Sequence, residues 1–262
     1  MGVTYLTAPV ITARHCFTTR LGGVSKGYLA GLNLGENRGD DPENVKENYR
    51  RLGAAAGIHT ERMAFTRQVH GSAVRIVTEQ DVHVLGTPIP YEADGIVTDR
   101  PGLALICFTA DCVPVLLHDP VRGVVGAVHC GWRSSVADIL AVAVEKMASL
   151  GASPALIRAA IGPAIGKCCF EVGPEVIAAA ENWLRGTDGG LDGLYAPVAG
   201  KTDKYLLDLR GCNARRLRSL GLAEENIAVS GACTVCSHET FWSHRYTKGQ
   251  RGSQAALIEL GS

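Results

Sequence analysis

Two residues on either side of a turn define the chemistry this sequence could carry. Cys112 closes Thr109-Ala110-Asp111-Cys112, and His129 opens His129-Cys130-Gly131-Trp132-Arg133. Apolar, β-branched runs separate both from Asp119-Pro120-Val121-Arg122-Gly123, a cluster rich in turn formers. That pattern predicts a β-hairpin. Folded about its turn, the hairpin brings Cys112 and His129 within a residue of register at its open end. A thiol beside an imidazole is either a nucleophile–base pair or two ligands of a metal, and spacing leaves both open. A catalytic zinc site takes three protein ligands and keeps a fourth position for water. His70, at the end of a strand-like run, is the natural third candidate.

Two further sets are weaker. Cys233-x-x-Cys236, with His238 and His244 after it, has no second Cys-x-x-Cys to complete a four-ligand site. These cysteines are expected to be packed thiols near the rim of the site rather than a second metal centre. The cationic set is Arg133, Arg245 and Arg251, each near a glycine or polar turn. Arg133 directly follows the His129 loop, where its planar fork could hold phosphate or carboxylate.

The elements that must position these residues alternate between strands and helices. Asp41-Pro42 opens a helix with Val45, Tyr49, Leu52 and Ala56 on one face. Residues 63–70, 73–77, 94–99 and 103–108 read as strands leading into the hairpin. Ser134 or Ser135 caps a helix that buries Ile139, Leu140, Ala143, Met147 and Leu150, and its N-terminal end favours anions near His129. A buried strand over 155–161 and a helix from Gly173-Pro174 to Trp183 follow. Residues 185–204, rich in Gly and Asp, are expected to be an exposed excursion. Residues 205–220 form a fourth helix with its four arginines outward, and 227–230 and 253–260 close the chain as strands. With no repeat and no linker, residues 1–262 read as one domain.

Composition narrows the function classes. The chain has 262 residues, with 26 basic and 26 acidic side chains. That balance provides no field for nucleic acid or an anionic membrane. No apolar run reaches bilayer length and no secretory signal is present, so a cytoplasmic protein is expected. Nine irregularly spaced cysteines then read as reduced thiols.

Taken together, the ordered motifs resemble the laccase-domain family, also called the multicopper polyphenol oxidoreductase or YfiH-type family. They run from Thr19-Arg20-Leu21-Gly22-Gly23-Val24-Ser25 through Leu32-Asn33-Leu34-Gly35 and Gly39-Asp40-Asp41-Pro42 to Gln68-Val69-His70-Gly71. They continue at Thr109-Ala110-Asp111-Cys112-Val113-Pro114 and His129-Cys130-Gly131-Trp132-Arg133, then at Ile161-Gly162-Pro163-Ala164-Ile165-Gly166 and Phe241-Trp242-Ser243-His244-Arg245. Cys130, Ser134, Phe170 and Tyr246 depart from the usual residues of that pattern.

The resemblance implies an α/β fold, a single-domain layered α/β/β/α sandwich with mixed sheets, similar to the catalytic domain of cytotoxic necrotizing factors. It also implies a zinc site on His70, Cys112 and His129, with copper as the other metal. The activity implied is phosphorolysis of adenosine, inosine and methylthioadenosine, with adenosine deamination, so the partners are a purine nucleoside and phosphate. On this reading Asp111 is a candidate orienting residue or proton shuttle, Asn33 a sugar or base contact, and Arg133, Arg245 and Arg251 anion or substrate groups. Two other readings stand beside it: a Cys112–His129 hydrolase or amidase acting in peptidoglycan editing, and a copper-dependent polyphenol oxidase.

Overall fold

The apolar runs around Asp119-Pro120-Val121-Arg122-Gly123 become an antiparallel hairpin in a computed structural model of the chain, which describes residues 2–261. Met1 and Ser262, the two ends of the span expected to form one domain, lie outside the described residues. In chain order the strands are β1 (Tyr5–Leu6), β2 (Arg14–Thr18), β3 (Met63–Ala64), β4 (Val74–Ile76), β5 (Gly95–Thr98), β6 (Ala104–Thr109) and β7 (Val113–Asp119). Then come β8 (Val124–Cys130), β9 (Arg158–Ile161), β10 (Glu171–Val172), β11 (Tyr195–Pro197), β12 (Tyr205–Leu207), β13 (Ile227–Val229) and β14 (Gln254–Glu259). The helices are α1 (Pro42–Ala56), α2 (Trp132–Val136), α3 (Ile139–Ser149), α4 (Pro174–Trp183), α5 (Leu209–Ser219) and α6 (His244–Thr247).

Two mixed sheets, ordered β1-β2-β14-β6-β3 and β13-β9-β7-β8-β5-β4, face each other. Phe17, Leu105, Ala256 and Ile258 from the first pack on Leu116, Val125, Ala127 and Ala160 from the second. Outside the first sheet, α1 buries Val45, Tyr49 and Leu52 against Cys16, Ile106 and Leu257. Outside the second, Ile139, Met147, Val176 and Leu217 of α3, α4 and α5 cover Val115, Leu117 and Val128. Full burial of each such side chain contributes about 1.5–3 kcal/mol. The layering is therefore α/β/β/α, as expected, with β10, β11 and β12 as a small third sheet.

The hairpin register differs from the expectation. Val113 pairs with Cys130 and Pro114 with His129, so Cys112 lies two residues from direct opposition to His129. A displacement of two keeps both side chains on one face, because side chains alternate along a strand. That face is the one shared with Leu116, Val125 and Ala127, the seam between the sheets.

Other local departures have identifiable causes. Only Met63–Ala64 of the run 63–70 pairs in the sheet; further on, the Gln68 amide replaces the strand by donating to the Phe108 carbonyl at 2.8 Å and accepting from its N–H at 2.7 Å. The helix expected from Ser134 or Ser135 starts earlier, at Trp132 with Gly131 as N-cap, and breaks at Asp138. Asp138 sits at φ 64°, held there by Arg216 at 2.8 and 2.5 Å. Residues 205–207 are strand rather than helix, since Asp208 caps α5 by accepting from the Gly211 N–H. The stretch 185–204 is anchored: Arg215 donates to the carbonyls of Gly189, Gly190 and Asp192. Of the four arginines of α5 expected to face outward, Arg215 is therefore a strut, Arg210 and Arg216 are likewise engaged, with the Ser230 and Ala232 carbonyls and with Asp138, and Arg218 is exposed.

Candidate metal centre between two hollows

Asp94, at the entry to β5, organises the centre. It is buried, and its carboxylate accepts the N–H groups of Val69, His70 and Gly71 at 3.0, 2.9 and 2.8 Å. It also accepts from His129 Nδ1 at 2.7 Å, while its main-chain carbonyl takes the His129 N–H. Burial raises the Asp94 pKa, but the bonds from His129 and the amides outweigh it and hold the group below the usual carboxylate range. The bond at Nδ1 directs His129 Nε2 toward the centre. The three-amide clamp also stabilises His70 at φ 60°, a left-handed conformation that a bulky residue rarely adopts.

Thus posed, His70 Nε2 lies 3.8 Å from Cys112 Sγ, and the His70 and His129 rings meet edge-on with centroids 4.9 Å apart. The ligand-capable atoms of His70, Cys112 and His129 all fall within 4.8 Å of one another. Gly131 leaves the room: a Cβ there would lie 2.9 Å from His70 Cδ2 and 3.4 Å from Cys112 Sγ. Burial pushes the Cys112 thiol up, but His129 and then His70 draw it down to about 6. For His129 burial works downward, and Cys112 and Asp94 raise it to about 9. Both shifts describe one thiolate–imidazole pair. One soft thiolate and two imidazoles converging at this distance can hold a metal ion with a position to spare.

Two hollows flank the group. One, about 280 Å³, is lined by Phe65, Phe108, Gln68, Arg38, Arg251 and Ser253 beside His70, Cys112 and His129. The other, about 330 Å³, presents Trp132, Ile165, Phe170 and Leu209, with His244, Arg245 and Arg251 around them. In the first, Arg38 Nε donates to Ser253 Oγ at 3.1 Å and Arg251 Nη1 to the same oxygen at 3.2 Å. Burial and then repulsion from Arg38 lower the Arg251 guanidinium to about 10. Two cations meeting over one hydroxyl make a natural anion cradle.

The remaining expected site residues divide. Arg245 and Arg251 reach the hollows. Arg133 does not: as the second residue of α2 it turns outward and stacks over the Trp132 ring at 4.3 Å. Asn33 is fully buried and committed, accepting from Gly35 and Ser253 and donating to Asp40, so it is a loop organiser rather than a sugar or base contact. Asp111 lines the second hollow, but its carboxylate oxygens are taken by Thr234 Oγ1 and the Arg245 N–H, both at 2.6 Å, which fits a positioning role better than a proton shuttle. Cys233 and Cys236, expected to lack further ligands, are joined by Cys168 and Cys169. Sequence reasoning missed Asp94, Gln68 and Arg38. The signal for Asp94 was a lone acid opening an otherwise apolar strand, Ala93-Asp94-Gly95-Ile96-Val97.

A family model described as multi-copper polyphenol oxidoreductase laccase matches residues 14–261. The chain belongs to that family. Within it, the chain is similar to a protein of Deinococcus radiodurans named purine nucleoside phosphorylase, 41% identical over 99% of this chain and 94% of the relative. The crystal structure of YlmD from Geobacillus stearothermophilus superposes with a TM-score of 0.90 at 33% identity, covering 100% of this chain and 97% of that one. That of the Bacillus licheniformis hypothetical protein YfiH gives 0.86 at 34% identity, over 94% and 92%. The mixed α/β architecture is thus that of the YfiH and YlmD structures.

Proposed function

We propose that the protein is a zinc-dependent purine nucleoside phosphorylase acting on adenosine, inosine and methylthioadenosine in the cytoplasm, where Cys112 stays reduced. The observation that carries this reading is a group of three ligand-capable side chains set between a hollow with two arginines and a hollow with aromatic and aliphatic walls. Relatives named purine nucleoside phosphorylase, each matched over 94% of its length, support it. His70, Cys112 and His129 are the ligands, and one thiolate with two imidazoles suits zinc with an open position. When bound, the ion supplies Lewis acidity at the junction of the hollows.

The side chains of the chain itself do the rest. Arg38 and Arg251 hold phosphate over Ser253, and the purine lies against Trp132 and Phe170 in the apolar hollow. A phosphate oxygen bonds to the anomeric carbon as the bond from that carbon to the purine nitrogen breaks. The electron pair leaves on the purine, which takes up the proton from phosphate, giving free base and ribose 1-phosphate, or its 5-methylthio counterpart from methylthioadenosine. Holding both reactants in line supplies much of the acceleration. Arg245, on the rim of the apolar hollow, faces the charge that develops on the departing base.

A second reading has one observation in its favour: the chain Asp94–His129–Cys112 is also how a thiol nucleophile is activated. Against it, a second imidazole, His70, is aimed at the same sulfur. A multi-copper oxidase reading is less suited, since among the described residues only His70 and His129 of the histidines join a ligand-capable group. Purified protein incubated with each nucleoside, with and without phosphate, is the test. Phosphate-dependent free base and ribose 1-phosphate, lost with a chelator and restored by zinc, is the expected result. Inosine and ammonia formed from adenosine beside phosphorolysis would add the deaminase activity that the resemblance implies, deamination with no phosphorolysis would move the assignment, and activity that resists chelation but not thiol alkylation would favour the hydrolase.

A further inference from the structure

Away from the centre, four cysteines from two segments converge. Cys168 and Cys169 lie on the turn after Gly166, and Cys233 and Cys236 on the loop that follows β13. Their sulfurs all lie within 4.8 Å of one another, with Cys236 Sγ 3.6 Å from Cys168 Sγ and 3.5 Å from Cys169 Sγ. Zinc–thiolate bonds of about 2.3 Å in a tetrahedron put ligand sulfurs about 3.8 Å apart, so the group is already near the required shape. We propose that Cys168, Cys169, Cys233 and Cys236 form a closed four-thiolate zinc site, separate from the centre at Cys112, that fastens these two segments together.

The surroundings are built for such a site. Gly166 donates its N–H to Cys233 Sγ at 3.2 Å, as expected around a ligand thiolate. A Cβ on Gly166 would press on Cys168 Sγ and Cys233 Cβ, both at 3.2 Å, and on Arg210 Nη2 at 3.1 Å. Four thiolates and one divalent cation carry a net double negative charge, and two arginines answer it. Arg210 Nη1 donates to the carbonyls of Ser230 and Ala232, and Arg245 Nη1 to that of Cys169 at 3.3 Å. A disulfide fits less well. It would need one preferred partner, whereas Cys236 is about equally distant from Cys168 and Cys169.

The consequence reaches the substrate hollow. Thr234, next to Cys233, donates to the Asp111 carboxylate, whose other oxygen takes the Arg245 N–H. The Ile165 N–H donates to the Asp111 carbonyl, and Thr234 N–H to that of Ala164. Fastening the two cysteine segments therefore fixes Asp111, directly before Cys112, and Arg245 together with it. The site is structural, and Asp111 is the positioning residue through which it acts.

Metal analysis of the purified full-length protein and its variants decides the matter, independently of which nucleoside is turned over. Two zinc ions per chain are expected in the unaltered protein, and one in Cys112→Ala. Cobalt loaded into Cys112→Ala should show the visible bands of tetrahedral cobalt–thiolate, and these should vanish in Cys112→Ala/Cys236→Ser. Cys236 is exposed, so its serine variant should still fold, keep the ion at Cys112, and melt several degrees lower. A Cys112→Ala protein without metal and without cobalt–thiolate bands, iron in place of zinc, or a disulfide among the four cysteines by mass spectrometry would each overturn the proposal.

Discussion

The two ligand-capable groups found among the described residues are built from similar residues and to opposite plans. His70, Cys112 and His129 come from three separated positions, and two hollows open on either side of them. Cys168, Cys169, Cys233 and Cys236 come from two short segments and line neither hollow. The first group is posed by another side chain, Asp94, which grips a turn and a ring at once. The second is posed by main chain, through Gly166 and the carbonyls that Arg210 and Arg245 hold. An incomplete donor set beside open space suits a reaction, and a complete one between two loops suits a rivet. Removing a residue from the first should therefore take away function and leave the fold, and removing one from the second should weaken the fold.

Cys112→Ala gives that contrast its largest expected effect. It removes the thiolate ligand while leaving Asp94, His129 and the turn around His70 in place. The ion at the centre should be lost and nucleoside turnover should fall by about 1000-fold or more, since several kcal/mol of charge stabilisation go with it. The melting temperature should stay within a few degrees. Turnover near that of the unaltered protein would remove Cys112 from the reaction altogether.

Asp94→Asn comes next, because it keeps the shape and removes the charge. An amide can accept some of the four N–H bonds now made to the carboxylate, but it no longer favours the Nδ1–H form of His129 as strongly. Metal affinity at the centre, measured by chelator competition, should fall about 10–100-fold. The four-cysteine site should keep its affinity. Equal weakening of both would break the distinction between a side-chain-posed and a main-chain-posed group.

The part of this arrangement legible in the sequence follows periodicity and short range. The hairpin, α1 with its Asp41 cap, and the approach of Cys112 to His129 all come from alternation and turn chemistry, and an error of register of two residues did no harm because parity was kept. His70 needed a family resemblance, since no local rule says that a turn 42 residues before Cys112 will arrive at its side. Asp94 left only the mark of an acid before an apolar run, and its role stayed hidden for the same reason: its bonds run to residues 23 to 35 positions away. The four-cysteine group escaped because its second half is a vicinal Cys168-Cys169 pair, not a second Cys-x-x-Cys, and lies 67 and 68 residues from Cys236. Arg133 was misplaced by position alone, since adjacency to a loop does not set the direction in which a helical side chain leaves it.

The smallest effect sharpens the comparison within the hairpin itself. His118 and His129 lie on the same face of β7 and β8, both buried, at opposite ends. His129 is gripped by Asp94, whereas His118 Nδ1 has no hydrogen-bond partner among the described residues. Burial, with Arg158 nearby, lowers the His118 pKa to about 4 against an ordinary 6.5. Between these values the unfolded chain binds a proton that the folded chain refuses, so stability rises with pH across the window and is lost on acidification from about 6.5 toward 4. This one group should take away about 1–2 kcal/mol between pH 6.5 and pH 5. His118→Leu should flatten that part of the curve in urea titrations at a series of pH values, while leaving metal content and turnover at neutral pH unchanged. A slope as steep in the variant as in the unaltered protein would mean that His118 is not the group refusing the proton.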